Sequence, residues 1–181
     1  MYPKLFLYLR SHKRTYIFIA CLFSVSIITG VLFPDISADA QERLINGLLE
    51  EANKNNPVQF IISNNVAVTL AVILLGFTFF SVPVAAVMFN GYFFGAVLAR
   101  ALENMTLWQA AVRVLPHGIF EIPAVLLAFS LSFVISSAWL EKDKIARLKY
   151  HYLQSLKAFI LIILPLLVVA GIIEGSLFAM L

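Results

Sequence analysis

The feature that most constrains this fold is a run of 45 consecutive residues, 55–99, without a single Asp, Glu, Lys or Arg. A helix that crosses the hydrocarbon core of a bilayer needs about 20 mostly apolar residues. The run is therefore too long for one crossing and long enough for two, with a tight turn near Pro83. Over the whole chain 61% of residues are hydrophobic and 13% are charged. Soluble domains have about 25% charged residues, so this composition indicates a membrane protein.

Three further segments have the length of a membrane span. Residues 15–34 carry no formal charge, whereas residues 115–139 and 158–181 carry one Glu each. We predict an all-α polytopic membrane protein, a single transmembrane domain over residues 1–181 with five transmembrane helices and short amphipathic helices on the outer side. The predicted spans are residues 15–34, 61–80, 84–102, 115–139 and 158–181.

Residues 39–53 form the largest polar segment on the outer side. Asp39 followed by Glu42 is typical of a helix capping box, and the Leu and Ile residues between 44 and 49 share one helical face. We predict an amphipathic helix here. It serves either as a packed connector or as a docking surface for a partner.

A second capping-box pattern, Thr106 followed by Gln109, predicts a short helix after the third span. Pro116 suits the first turn of a helix, where its missing N–H is no loss. We therefore expect the short helix to end before Pro116 and the fourth span to begin there.

The basic residues predict the orientation of the chain. Nine of the 13 Lys and Arg residues lie in residues 1–14 and in a predicted cytoplasmic loop, residues 140–157, with Lys157 at its end. Positive loops remain in the cytoplasm. We predict a multi-pass protein of the cell membrane, with a cytoplasmic N-terminus and an extracytoplasmic C-terminus. Because these basic residues flank apolar spans, they predict contact with the bilayer and no nucleic-acid face.

Ionisable side chains inside predicted spans mark the candidate site. His117 and Glu121 are four residues apart, so they share one helical face, and Glu174 lies inside the fifth span. A charge at such a depth costs several kcal/mol unless it is paired or neutralised. We predict that these three side chains converge with Asn90 in a polar intramembrane cluster. Supporting polar residues are Asn64, Asn65, Arg100 and Arg113.

Several kinds of chemistry fit this cluster. A hydrogen-bonded network could fix helix packing, and Glu and His that change charge near neutral pH could relay a proton or an ion. His117, Glu121 and Glu174 are also candidate metal ligands, although their spacing specifies no particular metal or cofactor. An intramembrane hydrolase remains an alternative, but the sequence contains neither G-x-S-x-G nor H-E-x-x-H, and no catalytic residue is assigned.

Small residues and prolines predict close helix packing. Gly91 and Gly95 form a G-x-x-x-G pattern, which lets another helix approach closely, either within the bundle or in a homodimer. Pro116, Gly118 and Pro123 surround the ionisable pair and are expected to shape the fourth span.

Four sequence blocks in spans two to five form a recognisable pattern. They are Asn64-Asn65-Val66-Ala67-Val68 with the following Gly76, Phe89-Asn90-Gly91-Tyr92-Phe93-Phe94-Gly95, Leu115-Pro116-His117-Gly118-Ile119-Phe120-Glu121-Ile122-Pro123-Ala124, and Ala170-Gly171-Ile172-Ile173-Glu174-Gly175. Together these blocks resemble the stage II sporulation protein M family of integral membrane proteins. The final block departs from the family pattern, because Ser176-Leu177 stands where the family often has Thr-Pro.

The resemblance implies a membrane scaffold or assembly subunit that organises envelope partners. The family's namesake sits in the septal membrane of spore-forming bacteria with peptidoglycan-degrading partners, so similar partners are expected here. Two other functions stay open. One is a small oligomeric transporter or channel that uses His117, Glu121 and Glu174 as an ion, proton or metal relay. The other is a metal-dependent intramembrane enzyme.

Overall fold

The computed structural model of the chain describes residues 2–37, 39, 42–43, 46–47, 50–51 and 56–178. The side chains at positions 2, 37, 113–115, 117 and 177–178 are not part of this description. The described residues form helices and turns, without a strand among them. We number the α-helices α1 (Tyr2–Ser11), α2 (Lys13–Leu32), α3 (Pro57–Leu74), α4 (Ser81–Asn104), α5 (Leu107–Ser137), α6 (Lys144–Ala158) and α7 (Leu164–Phe178).

Five helical segments are long and apolar enough to cross a membrane, which confirms the predicted fold class. Contacts between the helices show that α2 runs parallel to α4 and α3 parallel to α5, whereas α7 runs antiparallel to α3, so successive segments alternate in direction. One end of the bundle therefore gathers α1, the turn at residues 75–80 and the start of α6, and we call it the basic end. The five segments are Lys13–Leu32, Pro57–Phe77, Ser81–Asn104, Gly118–Leu140 and Lys144–Ser176.

The fourth span begins differently from the prediction. Helix α5 starts with the expected capping box, in which the Thr106 hydroxyl accepts from the Gln109 backbone N–H. It then continues without a break through Pro116 and Pro123, so the predicted helix boundary at Pro116 was wrong. Each proline removes one backbone hydrogen bond. A membrane helix tolerates this loss because neighbouring helices and local adjustments satisfy the freed carbonyl.

Two predicted connecting segments have different outcomes. In the outer segment 39–53 the structure describes residues 39, 42–43, 46–47 and 50–51, which are all helical and exposed, as the predicted helix requires. The Leu and Ile residues of its predicted apolar face lie outside the described residues. Residues 140–157, predicted as a loop, form mostly helix α6, which continues through a π-helical turn, Phe159–Ile163, into α7. Pro165 follows that turn, and its missing N–H is a common cause of such irregular hydrogen bonding.

Glycines bring α2 and α4 into close contact. A methyl group added at Gly91 would lie 2.7 Å from Cβ of Ser26, and one at Gly95 would meet the Ile27 carbonyl oxygen. Gly30 on α2 faces the Tyr92 carbonyl in the same way. The G-x-x-x-G face therefore packs inside this chain. A homodimer through that face would require α2 to move aside.

Helix α5 lies at the centre of the bundle. Its second half is almost entirely buried, and Phe129, Leu131 and Ile135 are each fully inaccessible. Two buried serines bind carbonyls of the preceding hairpin: Ser132 donates to Val72 and Ser136 to Gly76, both at 2.6 Å. Because Glu121 belongs to the same continuous helix, this buried half of α5 fixes the position of Glu121 in the bundle.

Candidate functional site

The centre of the candidate site is Glu121, one helical turn inside the fourth span. Its Oε1 accepts a hydrogen bond of 3.2 Å from Nδ2 of Asn65 on α3. Both side chains are partly buried. The bond joins two helices that are 56 residues apart in sequence, and a carboxyl oxygen can accept it whether the group is ionised or protonated.

Glu174 lies half-buried on α7, close enough to Glu121 for an electrostatic interaction, and we call the two residues the carboxyl pair. Two glycines bring α7 close to α3, because a methyl group at Gly171 would strike Ile62 of α3 and one at Gly175 would lie 2.7 Å from Cα of Val58. The glycines on either side of Glu174 thus hold this part of α7 against α3, the helix that carries Asn65.

Asn90 and His117 were also predicted to belong to the cluster. The side chain of His117 lies outside the described part of the chain, as does that of Arg113. Asn90 donates to the Ala86 carbonyl of its own helix at 2.8 Å. Convergence of Asn90 and His117 with the carboxyl pair therefore stays a prediction.

Two supporting residues also have defined places. Arg100, at the end of α4, donates to the Pro34 carbonyl at 3.1 Å and lies 3.8 Å from the carboxylate of Asp35. It thereby ties α4 to the turn after α2. Asn64 lies half-buried on α3, beside Asn65.

The packing residues around Glu121 have distinct environments. Gly118 is buried, Pro116 is half-buried and Pro123 is exposed. All three lie within the continuous helix α5. The described part of the chain contains no group of three or more His, Cys, Asp or Glu side chains arranged to hold a metal ion. Metal binding by His117, Glu121 and Glu174 stays a prediction, since it depends on a side chain outside that part.

A second polar cluster, at the basic end, was missed by the sequence analysis. His151 on α6 is only 4% exposed. Its Nδ1 lies 3.1 Å from the hydroxyl of Tyr8, and its Nε2 lies 3.2 Å from Oε1 of Glu141. Nε of Arg147 lies 2.9 Å from the other oxygen of that carboxylate. This chain of contacts fastens α1 to α6.

The sequence did contain a signal for this second cluster. Arg147 and His151 are four residues apart and therefore share one face of a helix. A loop over residues 140–157, as predicted from the basic residues, would not place these two side chains on one face. Tyr8 could not have been found this way, since only the fold brings it to His151.

Comparison with known proteins confirms the resemblance seen in the sequence. Residues 19–177 match the model of the family described as Stage II sporulation protein M. The chain is also similar to two uncharacterized proteins of Methanocaldococcus jannaschii. One is 28% identical over 91% of this chain and 81% of its own length, and the other is 26% identical over 84% and 87%. No solved structure matches the chain. Because the family match covers most of the sequence, the chain belongs to the stage II sporulation protein M family of membrane proteins.

Proposed function

We propose that this protein is a membrane scaffold or assembly subunit that organises envelope partners through its helix bundle. The observation that carries the proposal is the Asn65–Glu121 hydrogen bond, which uses an intramembrane carboxyl group to join α3 to α5. A carboxyl group used in this way contributes to the shape of the bundle. Hydrogen bonds between membrane helices contribute about 0.6–1.7 kcal/mol each.

Other polar groups in the bundle support the same interpretation. The hydroxyls of Ser132 and Ser136 are buried and donate to the carbonyls of Val72 near the end of α3 and of Gly76 in the turn that follows. The indole N–H of Trp139 donates to the Phe77 carbonyl at 2.7 Å in the same region. These contacts hold α5 against its neighbours, as a rigid scaffold requires.

Partners and orientation are part of the proposal. Apolar side chains along α2, such as Ile17, Val25 and Ile28, are more than half exposed, so they face lipid or a partner helix. The family resemblance supports peptidoglycan-processing proteins as partners. The nine basic residues at the basic end support a cytoplasmic N-terminus and an extracytoplasmic C-terminus.

The test compares Glu121→Gln with Glu121→Ala. Gln keeps an oxygen that accepts from Asn65 but cannot release a proton, whereas Ala removes the hydrogen bond. For a scaffold, we expect Glu121→Gln to restore a deletion strain and to unfold like the wild type in detergent. Glu121→Ala should be less stable by about 1 kcal/mol. The matched control is Glu174→Gln, which also replaces one ionisable carboxyl group by an amide.

A transport assay separates the scaffold from a relay. Purified protein in proteoliposomes is expected to carry no proton flux above that of empty vesicles. Flux that disappears in Glu121→Gln would instead establish a titrating relay. Failure of Glu121→Gln to restore the strain, with normal stability, would likewise contradict the scaffold proposal.

A further inference from the structure

A polar pocket of about 650 Å³ lies at the basic end, between α1 and α6. Its lining includes the cationic side chains of Lys4 and Arg147, the ring of His12 and the apolar side chain of Leu7. The pocket is separate from Glu121, which lies toward the opposite end of the bundle. Neither the carboxyl pair nor the scaffold proposal uses these residues.

The position of this pocket relative to the bilayer follows from the length of the last helical segment. Lys144–Ser176 contains 33 residues, which correspond to about 50 Å of helix. The hydrocarbon core is about 30 Å thick, so about 20 Å of this helix extends beyond it. Helix α6, with its Lys and Arg residues, supplies the extension, so the pocket is level with the lipid headgroups.

The charge of the pocket favours an anion. Its one carboxylate, that of Glu141, is held by Nε of Arg147 at 2.9 Å and by the ring of His151 at 3.2 Å. Lys4 remains exposed toward the pocket, and the side chain of Arg147 is 54% exposed. Lys4 and Arg147 together therefore outweigh Glu141.

The ring of His12 and an apolar border complete the site. Nδ1 of His12 donates to the Tyr8 carbonyl at 2.9 Å, which holds the ring against α1 beside the pocket. Leu7, which also lines the pocket, is 62% exposed and suits contact with acyl chains.

We propose that this pocket binds the phosphate headgroup of an anionic phospholipid, with Lys4 and Arg147 contacting the phosphate and Leu7 contacting the acyl chains. Such a lipid has the required combination of a negative headgroup and apolar chains at one depth. Basic pockets between membrane helices are known to bind headgroups of this kind. A bound lipid would link α1 to α6 and so hold the N-terminal helix on the membrane surface.

The test measures lipid binding to the detergent-purified full chain by native mass spectrometry. Phosphatidylglycerol should bind more tightly than phosphatidylcholine with the same acyl chains. Each Lys or Arg near an anionic lipid contributes about fivefold in affinity. We therefore expect Lys4→Gln to weaken phosphatidylglycerol binding about fivefold and Lys4→Gln with Arg147→Gln about 25-fold.

The matched control removes two positive charges at the same end without touching the pocket. Lys13→Gln with Lys149→Gln should change the affinity for phosphatidylglycerol by less than about twofold, because neither residue lines the pocket. If Arg147→Gln prevents folding by leaving Glu141 without its partner, Lys4→Gln alone still tests the proposal. Equal affinity for both lipids, or an equal loss in the control, would overturn it. Displacement of the lipid by inorganic phosphate at similar concentration would assign the pocket to free phosphate and would also overturn it.

Discussion

Replacing Gly95 by Ala is expected to force α2 and α4 apart. The added methyl group would overlap the carbonyl oxygen of Ile27. Backbone cannot rotate away as a flexible side chain can, so one helix must shift. Gly30 and Gly91 lie along the same contact, and the shift would therefore propagate over several turns.

The size of the effect follows from these contacts. At Gly91 an added Cβ would lie 2.8 Å from the Phe23 carbonyl oxygen, where ordinary contact begins at 3.4 Å. The overlap at Gly95 is deeper. If the two helices separate by about 0.5–1 Å, each contact between them loses about a quarter to a half of its dispersion energy. Overpacking of this kind costs about 1–3 kcal/mol. The deep backbone overlap at Gly95 places its cost at the upper end of this range, about 3 kcal/mol. Since Ala favours a helix over Gly by about 1 kcal/mol, we expect a net loss of about 2 kcal/mol for Gly95→Ala.

Reversible unfolding in mixed detergent micelles measures this loss. Gly47→Ala is the matched control, because no described atom lies within 4 Å of a methyl group added there. We expect that variant to be as stable as the wild type or more stable by up to about 1 kcal/mol. Gly91→Ala should fall between the two. Equal stability of Gly95→Ala and Gly47→Ala would refute the packing of α2 against α4.

Two further predictions concern hydrogen bonds. Ser136→Ala removes the bond to the Gly76 carbonyl and should lower the free energy of unfolding by about 0.6–1.7 kcal/mol, whereas Ser130→Ala, whose hydroxyl bonds the Leu126 carbonyl of its own helix, should cost less in the same assay. Tyr8→Phe removes the contact with His151 and should loosen α1 by about 1 kcal/mol, measured by limited proteolysis of the N-terminus. Burial raises the pKa of Tyr8 above its ordinary 10.0. The stability that the protonated Tyr8 hydroxyl contributes is therefore complete below pH 10 and is lost as the pH rises further. Because Tyr8→Phe has no hydroxyl to ionise, this variant should lose less of its α1 protection from proteolysis at alkaline pH. Identical alkaline profiles for the two proteins would contradict this assignment.

Much of the fold could be predicted because a bilayer imposes simple rules on sequence. A helix satisfies its own backbone hydrogen bonds, so charge-free runs of about 20 residues had to become spanning helices. The Thr106–Gln109 capping box was also predictable, since it depends on side chains only three residues apart. The boundary at Pro116 was not, because the cost of a proline inside a helix depends on the neighbours that satisfy the freed carbonyl.

The candidate site could also be predicted only in part. Sequence alone singled out Glu121 and Glu174, because carboxyl groups in apolar runs are costly and therefore conspicuous. It also named Asn65, though only as a supporting residue. That Asn65 donates to Glu121 is a matter of helix rotation, which no local pattern specifies.

By itself, then, the sequence determined the membrane class, the five spans and the carboxyl groups placed inside them, since these follow from local apolarity, length and charge. The tertiary structure decided which residues meet. Gly91 and Gly95 contact α2, Asn65 joins Glu121, and Tyr8 reaches His151 across 143 residues of sequence. These contacts depend on the relative rotation and depth of several helices at once, and that arrangement is fixed by packing across the whole bundle.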